Sequence, residues 1–270
     1  MTISDRLNDL ITAKEDMKSA IEEKGVEVTG GLTSYADAIR SIEGDLPVGS
    51  LPDKTKLQHN SWTVGPELDT SAMTDMSEMF VSCTNMTSMS LFDTSNVTTM
   101  KMMFYNCYNL TTVPLFDTSN VTDMSNMFGD CRALVTIPQF DTSKVTDMSY
   151  MFSNDYATAS LESLPELDCS SVTNISGMFD CASYMTSLTT VGGFKNLGMQ
   201  PNLTGTNSSY FLKRCSKLRY SAVTNIINNL YDRAAAGYSN MTLTLHPDVL
   251  DMLYSSTIAE ATRKGWTLAS

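Results

Sequence analysis

Histidine is nearly missing from this sequence. Only 2 occur in 270 residues, so the commonest general base and metal ligand has little to offer. They stand apart, at His59 and His246, with no nucleophile patterned around either. None of the 6 cysteines forms a C-x-x-C pair, which removes the usual zinc-ligand spacing. No run of about 18 apolar residues occurs, so no membrane-crossing helix and no membrane insertion are expected. The opening Met1-Thr2-Ile3-Ser4-Asp5 has neither a basic n-region nor an apolar h-region and does not read as a secretory signal. Basic residues are scarce where acidic ones gather. From Pro66 to Gly193, 15 Asp and Glu face 3 basic residues, Lys101, Arg132 and Lys144. A block this acidic repels phosphate backbones and argues against nucleic acid as the main partner. From Phe194 onward 8 basic residues outnumber 4 acidic ones, and the cluster Lys213, Arg214, Lys217 and Arg219 reads as a solvated face.

What is abundant is repetition, along with 19 methionines, whose flexible side chains fill irregular interiors. Leu68-Asp69-Thr70-Ser71 recurs as Phe92-Asp93-Thr94-Ser95, Phe116-Asp117-Thr118-Ser119 and Phe140-Asp141-Thr142-Ser143, then as Leu167-Asp168-Cys169-Ser170. The steps are 24, 24, 24 and 27 residues. Each start is followed by Met-Phe: Met79-Phe80, Met103-Phe104, Met127-Phe128, Met151-Phe152 and Met178-Phe179. Cys83, Cys107 and Cys131 come three residues after the first three of these. Three markers keeping one period predict a repeat architecture.

Within the unit from Phe92 the apolar positions are Val97, Met100, Met103, Phe104, Cys107, Leu110, Val113 and Leu115, mostly three apart. That is neither the 3.6 period of a helix nor the 2 of a strand. It suits a coil that turns repeatedly and sends one apolar residue inward per segment. One unit cannot bury such a face alone, so neighbours must stack. Met79, Phe80, Cys83, Met103, Phe104, Cys107, Met127, Phe128, Cys131, Met151, Phe152, Met178 and Phe179 are the expected repeat core. The Asp residues suit Asx-turns, Asn96 and Asn120 suit left-handed corners, and Thr98, Thr122 and Thr146 suit extended backbone laddered between coils.

This pattern resembles the BspA-like leucine-rich repeats, in the variant V-T-D-M-S-x-M-F-x-x-C-x-x-L, over about Pro66 to Gly193. The resemblance implies an α/β repeat protein: a leucine-rich-repeat solenoid of short strands and turns, with an N-terminal helical module and a C-terminal α/β cap. The unit from Phe140 departs from the pattern, with Asp155 at the cysteine position and a longer step. The unit after Phe194 is degenerate, keeping Tyr210-Phe211 and Cys215.

The expected domains are 1–44, a helical attachment and oligomerisation module; 45–65, a linker and N-terminal cap; 66–193, the repeats; and 194–270, a degenerate repeat and cap. In the first, Leu7, Leu10, Ile11, Met17 and Ile21 form the apolar stripe of an amphipathic helix, and Tyr35 and Ile39 belong to a second. This arrangement resembles a small helical module of bacteriophage tail, fibre and appendage proteins. In the last, helices are predicted over 223–231 and 249–261, a strand over 241–245, and an edge strand at 264–268 whose Trp266 covers the core. The ending N-I-I-N-N-L, T-L-T-L and K-G-W-T-L resembles that of repeat proteins of gut bacteria and their phages.

The cysteines read as a buried thiol ladder in preference to disulfides. The column Asp69, Asp93, Asp117, Asp141 and Asp168 could hold Ca²⁺, but calcium-binding solenoids use glycine-rich turns, and turn capping is favoured. A catalytic carboxylate pair is normally unique, whereas these recur in every coil. No enzyme activity, cofactor or metal is expected. The resulting expectation is a phage virion protein, homo-oligomeric and held to other virion proteins by its N-terminal module. Its repeats would bind a host-surface glycan or protein, with Tyr105, Tyr108, Tyr150, Tyr156 and Tyr184 as candidate contacts. A purely structural virion connector and a bacterial cell-surface adhesin are the alternatives.

Overall fold

A computed structural model describes residues 57, 68–154, 160–180, 187–204 and 211–270. The chain divides into two units, Met1–Leu51 and Pro52–Ser270, and all described residues lie in the second. Leu7, Leu10, Ile11, Met17, Ile21, Tyr35, Ile39, Tyr156 and Tyr184 lie outside the described residues.

The 24-residue spacing of the sequence is also a hydrogen-bond register. Parallel bridges run Asp75 to Thr99, Thr99 to Asp123, Asp123 to Asp147, Asp147 to Asn174 and Asn174 to Thr204. Each coil therefore lies beside the equivalent part of the next. The spacing of three has a local cause. Val97 N–H donates to the Thr94 carbonyl, Met103 to Met100, Cys107 to Phe104 and Leu110 to Cys107. The chain closes a three-residue turn at each inward side chain.

Alternate N–H groups point along the stack instead. Met100, Met102, Phe104 and Asn106 donate to the carbonyls of Asp123, Ser125, Met127 and Gly129 in the following coil. Left-handed backbone makes part of this possible. Glu78, Ser82, Met102, Asn106, Asn126, Asp130 and Tyr150 have φ between 53° and 63°, and each donates its N–H to the next coil. Such a conformation costs about 1–2 kcal/mol in a non-glycine residue, which the inter-coil bond helps to offset. Asn96 and Asn120 are not among these residues, contrary to the sequence reading. Their side-chain amides instead donate to the Ser71 and Ser95 carbonyls of the preceding coil.

The interior is a set of columns. Met79, Phe80, Cys83, Met103, Phe104, Cys107, Met127, Phe128, Cys131, Met151, Phe152, Met178 and Phe179 are all buried. The phenylalanine rings stack from Phe80 to Phe104, Phe128 and Phe152, with centroids 5.7, 5.7 and 5.8 Å apart. The thiols of Cys83, Cys107 and Cys131 donate to the carbonyls of Leu57, Phe80 and Phe104, each at 3.1 Å. Burial pushes the Cys107 and Cys131 thiols far above their ordinary range, so they are inert, protonated fillers. Cys83, Cys107, Cys131, Cys169 and Cys215 are all buried thiols in no disulfide. Leu115 departs from the inward set. It is 60% exposed, while Val113 and Phe116 on either side are buried, so the larger ring of Phe116 takes the interior.

Among the described residues, regular strands form only late in the stack. β1 (Ser163–Asp168) pairs in parallel with β2 (Thr190–Lys195), placing Glu166 opposite Gly193 and Asp168 opposite Lys195. Beyond them come α1 (Tyr220–Asn229), β3 (Met241–Thr244), α2 (Pro247–Asp251), α3 (Ser255–Arg263) and β4 (Trp266–Ala269), with β3 and β4 parallel. The helix predicted over 249–261 is two helices, because Tyr254 has extended backbone (ψ 152°). Bridges from Leu197 to Leu230 and from Leu212 to Leu245 carry the ladder into this region. Trp266 is buried and donates its indole N–H to the Tyr231 carbonyl at 3.0 Å. The buried Lys264 ammonium donates to the carbonyls of Ile227, Asn228 and Leu230, closing the C-terminal end of α1.

Candidate functional site

Each coil approaches its Asp-Thr-Ser corner through the same short segment, Ser90-Leu91-Phe92-Asp93, Pro114-Leu115-Phe116-Asp117, Pro138-Gln139-Phe140-Asp141 and Pro165-Glu166-Leu167-Asp168. The third residue is buried and the second is exposed in each of these four segments. Stacking therefore produces an exposed column of Leu91, Leu115, Gln139 and Glu166 beside a column of Asp93, Asp117, Asp141 and Asp168. The Gln139 side-chain amide donates to the Glu166 carbonyl at 2.7 Å, tying neighbouring rungs together. Leu91 and Leu115 are 66% and 60% exposed. They line an open groove of about 430 Å³ with Asp93, Thr94, Ser95 and Asp117. A second groove of about 310 Å³ lies in later coils, lined by Gln139, Asp141, Glu166, Asp168 and Lys195 among others.

The Asp-Thr-Ser triplet explains how this edge is held. Asp Oδ1 accepts the backbone N–H two residues on: Ser71 to Asp69, Ser95 to Asp93, Ser119 to Asp117, Ser143 to Asp141 and Ser170 to Asp168, at 2.9–3.2 Å. The buried threonine between them reaches into the next coil. The hydroxyls of Thr70, Thr94, Thr118 and Thr142 donate to the carbonyls of Asp93, Asp117, Asp141 and Asp168. One residue shapes the corner and the next locks it to its neighbour.

These bonds also set the charge. The Ser95 hydroxyl, then its N–H, hold the Asp93 carboxyl below the usual carboxylate range, and Ser143 does the same for Asp141. Ser119, through its hydroxyl and then its N–H, lowers Asp117, outweighing burial and the like charges of Asp141 and Asp93, which push upward. At Asp168 burial is the largest effect and pushes upward, but Ser170 and Lys195 together prevail and the carboxyl is lowered. The Lys195 ammonium lies 3.5 Å from Asp168. The column is thus anionic at neutral pH and ends, in its own register, on a lysine.

The second column, Asp75, Asp123 and Asp147, accepts the N–H groups of Ser77, Ser125 and Ser149, and Asn174 accepts that of Ser176. Among the described residues no group of three or more His, Cys, Asp or Glu is placed to hold a metal ion. The ring of His246 caps α2, its Nδ1 accepting the Asp248 N–H at 3.2 Å.

The three described candidate tyrosines each pack in a setting of their own. Tyr105 lies against Gly129, where an added Cβ would meet its ring at 2.6 Å, and Tyr150 lies against Gly177, where the distance would be 2.4 Å. The Tyr108 ring stacks under the Arg132 guanidinium, 4.0 Å from its centroid. The three occupy different register positions, and packing on a neighbouring coil accounts for each. The exposed leucines were the missed signal: Leu91 and Leu115 are 24 residues apart, each directly before Phe-Asp, and the spacing of three leads from Met89 to Phe92 and from Val113 to Phe116, passing over both leucines.

The profile of a family described as "Mycoplasma protein of unknown function, DUF285" matches residues 60–155 and 111–195, a span of slightly more than half the chain. Neither the curated proteins nor the solved structures contain a match. Among the described residues no helix is long and apolar enough to cross a membrane.

Proposed function

Because this chain belongs to the family described as Mycoplasma protein of unknown function, DUF285, we propose that its coils form a BspA-like leucine-rich-repeat solenoid that acts as a non-enzymatic adhesion or protein–protein interaction module. The observation that carries this reading is the exposed edge of Leu91 and Leu115 beside the aspartate column. A stack of coils can present such columns over a long surface without building a pocket. The non-enzymatic part rests on the sameness of the carboxylates. From Asp69 to Asp168 each caps a corner through the same serine bond, and none is singled out as an acid or base.

In its finer form the reading is a bacteriophage virion protein, a tail, fibre or appendage component. Residues 1–44, which resemble phage attachment modules, would join it to other virion proteins as a homo-oligomer, with the repeats facing a host-surface glycan or protein. Weak contacts on several copies would gain by avidity. Labelling virions with antibodies against the repeat block, alongside pull-down of host envelope fractions by the full chain, tests both parts. Particle labelling and envelope binding are expected. A free secreted monomer that never joins a particle would overturn the virion assignment, and particle labelling without envelope binding would leave a structural connector. A bacterial cell-surface adhesin is the second reading, favoured by the bacterial genus in the family's description.

A further inference from the structure

We infer that the edge bearing Leu91, Leu115, Asp93, Asp117 and Asp141 docks a cationic amphipathic helix of a partner protein. The apolar side of that helix would rest on the two leucines, and its Lys or Arg side chains would face the three carboxylates. This rests on the interaction-module reading above and adds the chemical class of the partner.

The first support is the composition of the groove. A single exposed leucine is ordinary, but Leu91 and Leu115 stand in adjacent coils, more than half exposed, in one groove with Asp93 and Asp117. A ligand filling it must offer apolar surface and positive charge together. The second is charge complementarity that the molecule itself displays. The next position in the aspartate register is Lys195, whose ammonium pairs with Asp168 at 3.5 Å. The serine donors at Asp93 and Asp141 both reach Oδ1. A carboxylate has two oxygens and about four acceptor sites, so capacity remains for a cation. The surrounding block, with 15 acidic and 3 basic residues between Pro66 and Gly193, would steer a basic partner toward it.

The third support is pitch. Coils paired in parallel repeat about every 4.8 Å, so Asp93 to Asp141 spans two steps, about 9.6 Å. Residues i and i+7 of a helix are about 10.5 Å apart on one face. Same-face residues i and i+4 of an extended strand are about 13 Å apart. A helix stays in register with the column within about 1 Å, whereas a strand along the same axis does not.

The test uses the full chain and three labelled peptides of about 18 residues: a Leu/Lys amphipathic helix, a Leu/Glu counterpart, and a Ser/Lys peptide of equal charge. Fluorescence anisotropy should show the Leu/Lys peptide bound, more weakly at high salt, and the other two bound at least about tenfold more weakly. Asp93→Asn with Asp117→Asn keeps the oxygen that caps each corner and should weaken Leu/Lys binding about tenfold, since each exposed charge pair contributes up to about fivefold. Leu91→Ser with Leu115→Ser should weaken it comparably. Absence of Leu/Lys binding, equal binding of the Ser/Lys peptide, or indifference to both double variants overturns the inference. The same variants are assayed on host envelope fractions. Envelope binding that both variants retain in full overturns this inference and leaves the adhesion reading intact. No envelope binding by the unaltered chain, with Leu/Lys binding lost in the variants, supports this inference and overturns host adhesion.

Discussion

The position before Met-Phe shows how single residues carry the stack. It is left-handed in every described coil: Glu78, Met102, Asn126, Tyr150 and, in the fifth, Gly177. Side chains are tolerated at four of them because the N–H must turn toward the next coil. Gly177 is different, since the Tyr150 ring lies across it and an added Cβ would approach within 2.4 Å. Gly177→Ala therefore combines backbone cost with a clash against an aromatic ring, and should destabilise by about 2 kcal/mol or more in urea unfolding. Gly237→Ala is the control. Its φ is +72°, but nothing lies within 4 Å of the added atom, so only the backbone part, about 1 kcal/mol, is expected.

At the scale of the element, the unit of construction is the Asp-Thr-Ser corner. Thr118 is buried and its hydroxyl donates to the Asp141 carbonyl at 2.9 Å. Thr118→Val keeps the shape but leaves that carbonyl without its side-chain donor, and should cost about 1–2 kcal/mol, read as a lowered urea midpoint with an unchanged slope. The same change at the exposed Thr111 should cost less. Its hydroxyl bonds the Thr87 carbonyl at 2.9 Å, but water can replace a partner there. The C-terminal elements follow another logic. Lys264 closes α1 with three carbonyl bonds inside this region, and the buried Arg233 guanidinium reaches back to the Gly198 carbonyl at 2.7 Å, so buried cations on backbone oxygens hold this part together and tie it to the preceding coil.

For the whole molecule the aspartate column links charge to stability. Asp93, Asp117, Asp141 and Asp168 are all held below the ordinary value of 3.8. A carboxyl depressed by folding adds stability that is fully present above its unfolded pKa and lost as pH falls through its folded one. The urea midpoint should therefore hold down to about pH 4 and fall below it, followed by circular dichroism. Asp141→Asn, which cannot titrate, should show a shallower acid loss than the unaltered chain. Relief of repulsion within the acidic block acts the opposite way, so a midpoint that rises between pH 4 and pH 2 would show that repulsion outweighs the serine bonds.

Much of this was legible beforehand because repetition is a one-dimensional signal. The step of 24 between Asp-Thr-Ser triplets is the step between residues bonded from coil to coil, and the Met-Phe and cysteine markers fall on buried columns. Apolar residue type alone counted both Leu115 and Phe116 as candidates for the interior, although the spacing of three from Val113 falls on Phe116. Leu115 and Phe116 compete for one interior site, and ring stacking against Phe104 and Phe140 decides it. Nor could residue type show that Asn96 braces the preceding coil through its amide, since an asparagine suits a left-handed corner equally well. The candidate edge was hidden for the same reason: it consists of leucines that composition assigns to a core, beside carboxylates that composition assigns to turns. The amino-acid order by itself determined the period, the corner chemistry and the acidity of the repeat block, because those depend on residue type and local spacing. Only the tertiary structure decided which columns face water and which neighbours they meet, because exposure is settled by competition among coils for one interior.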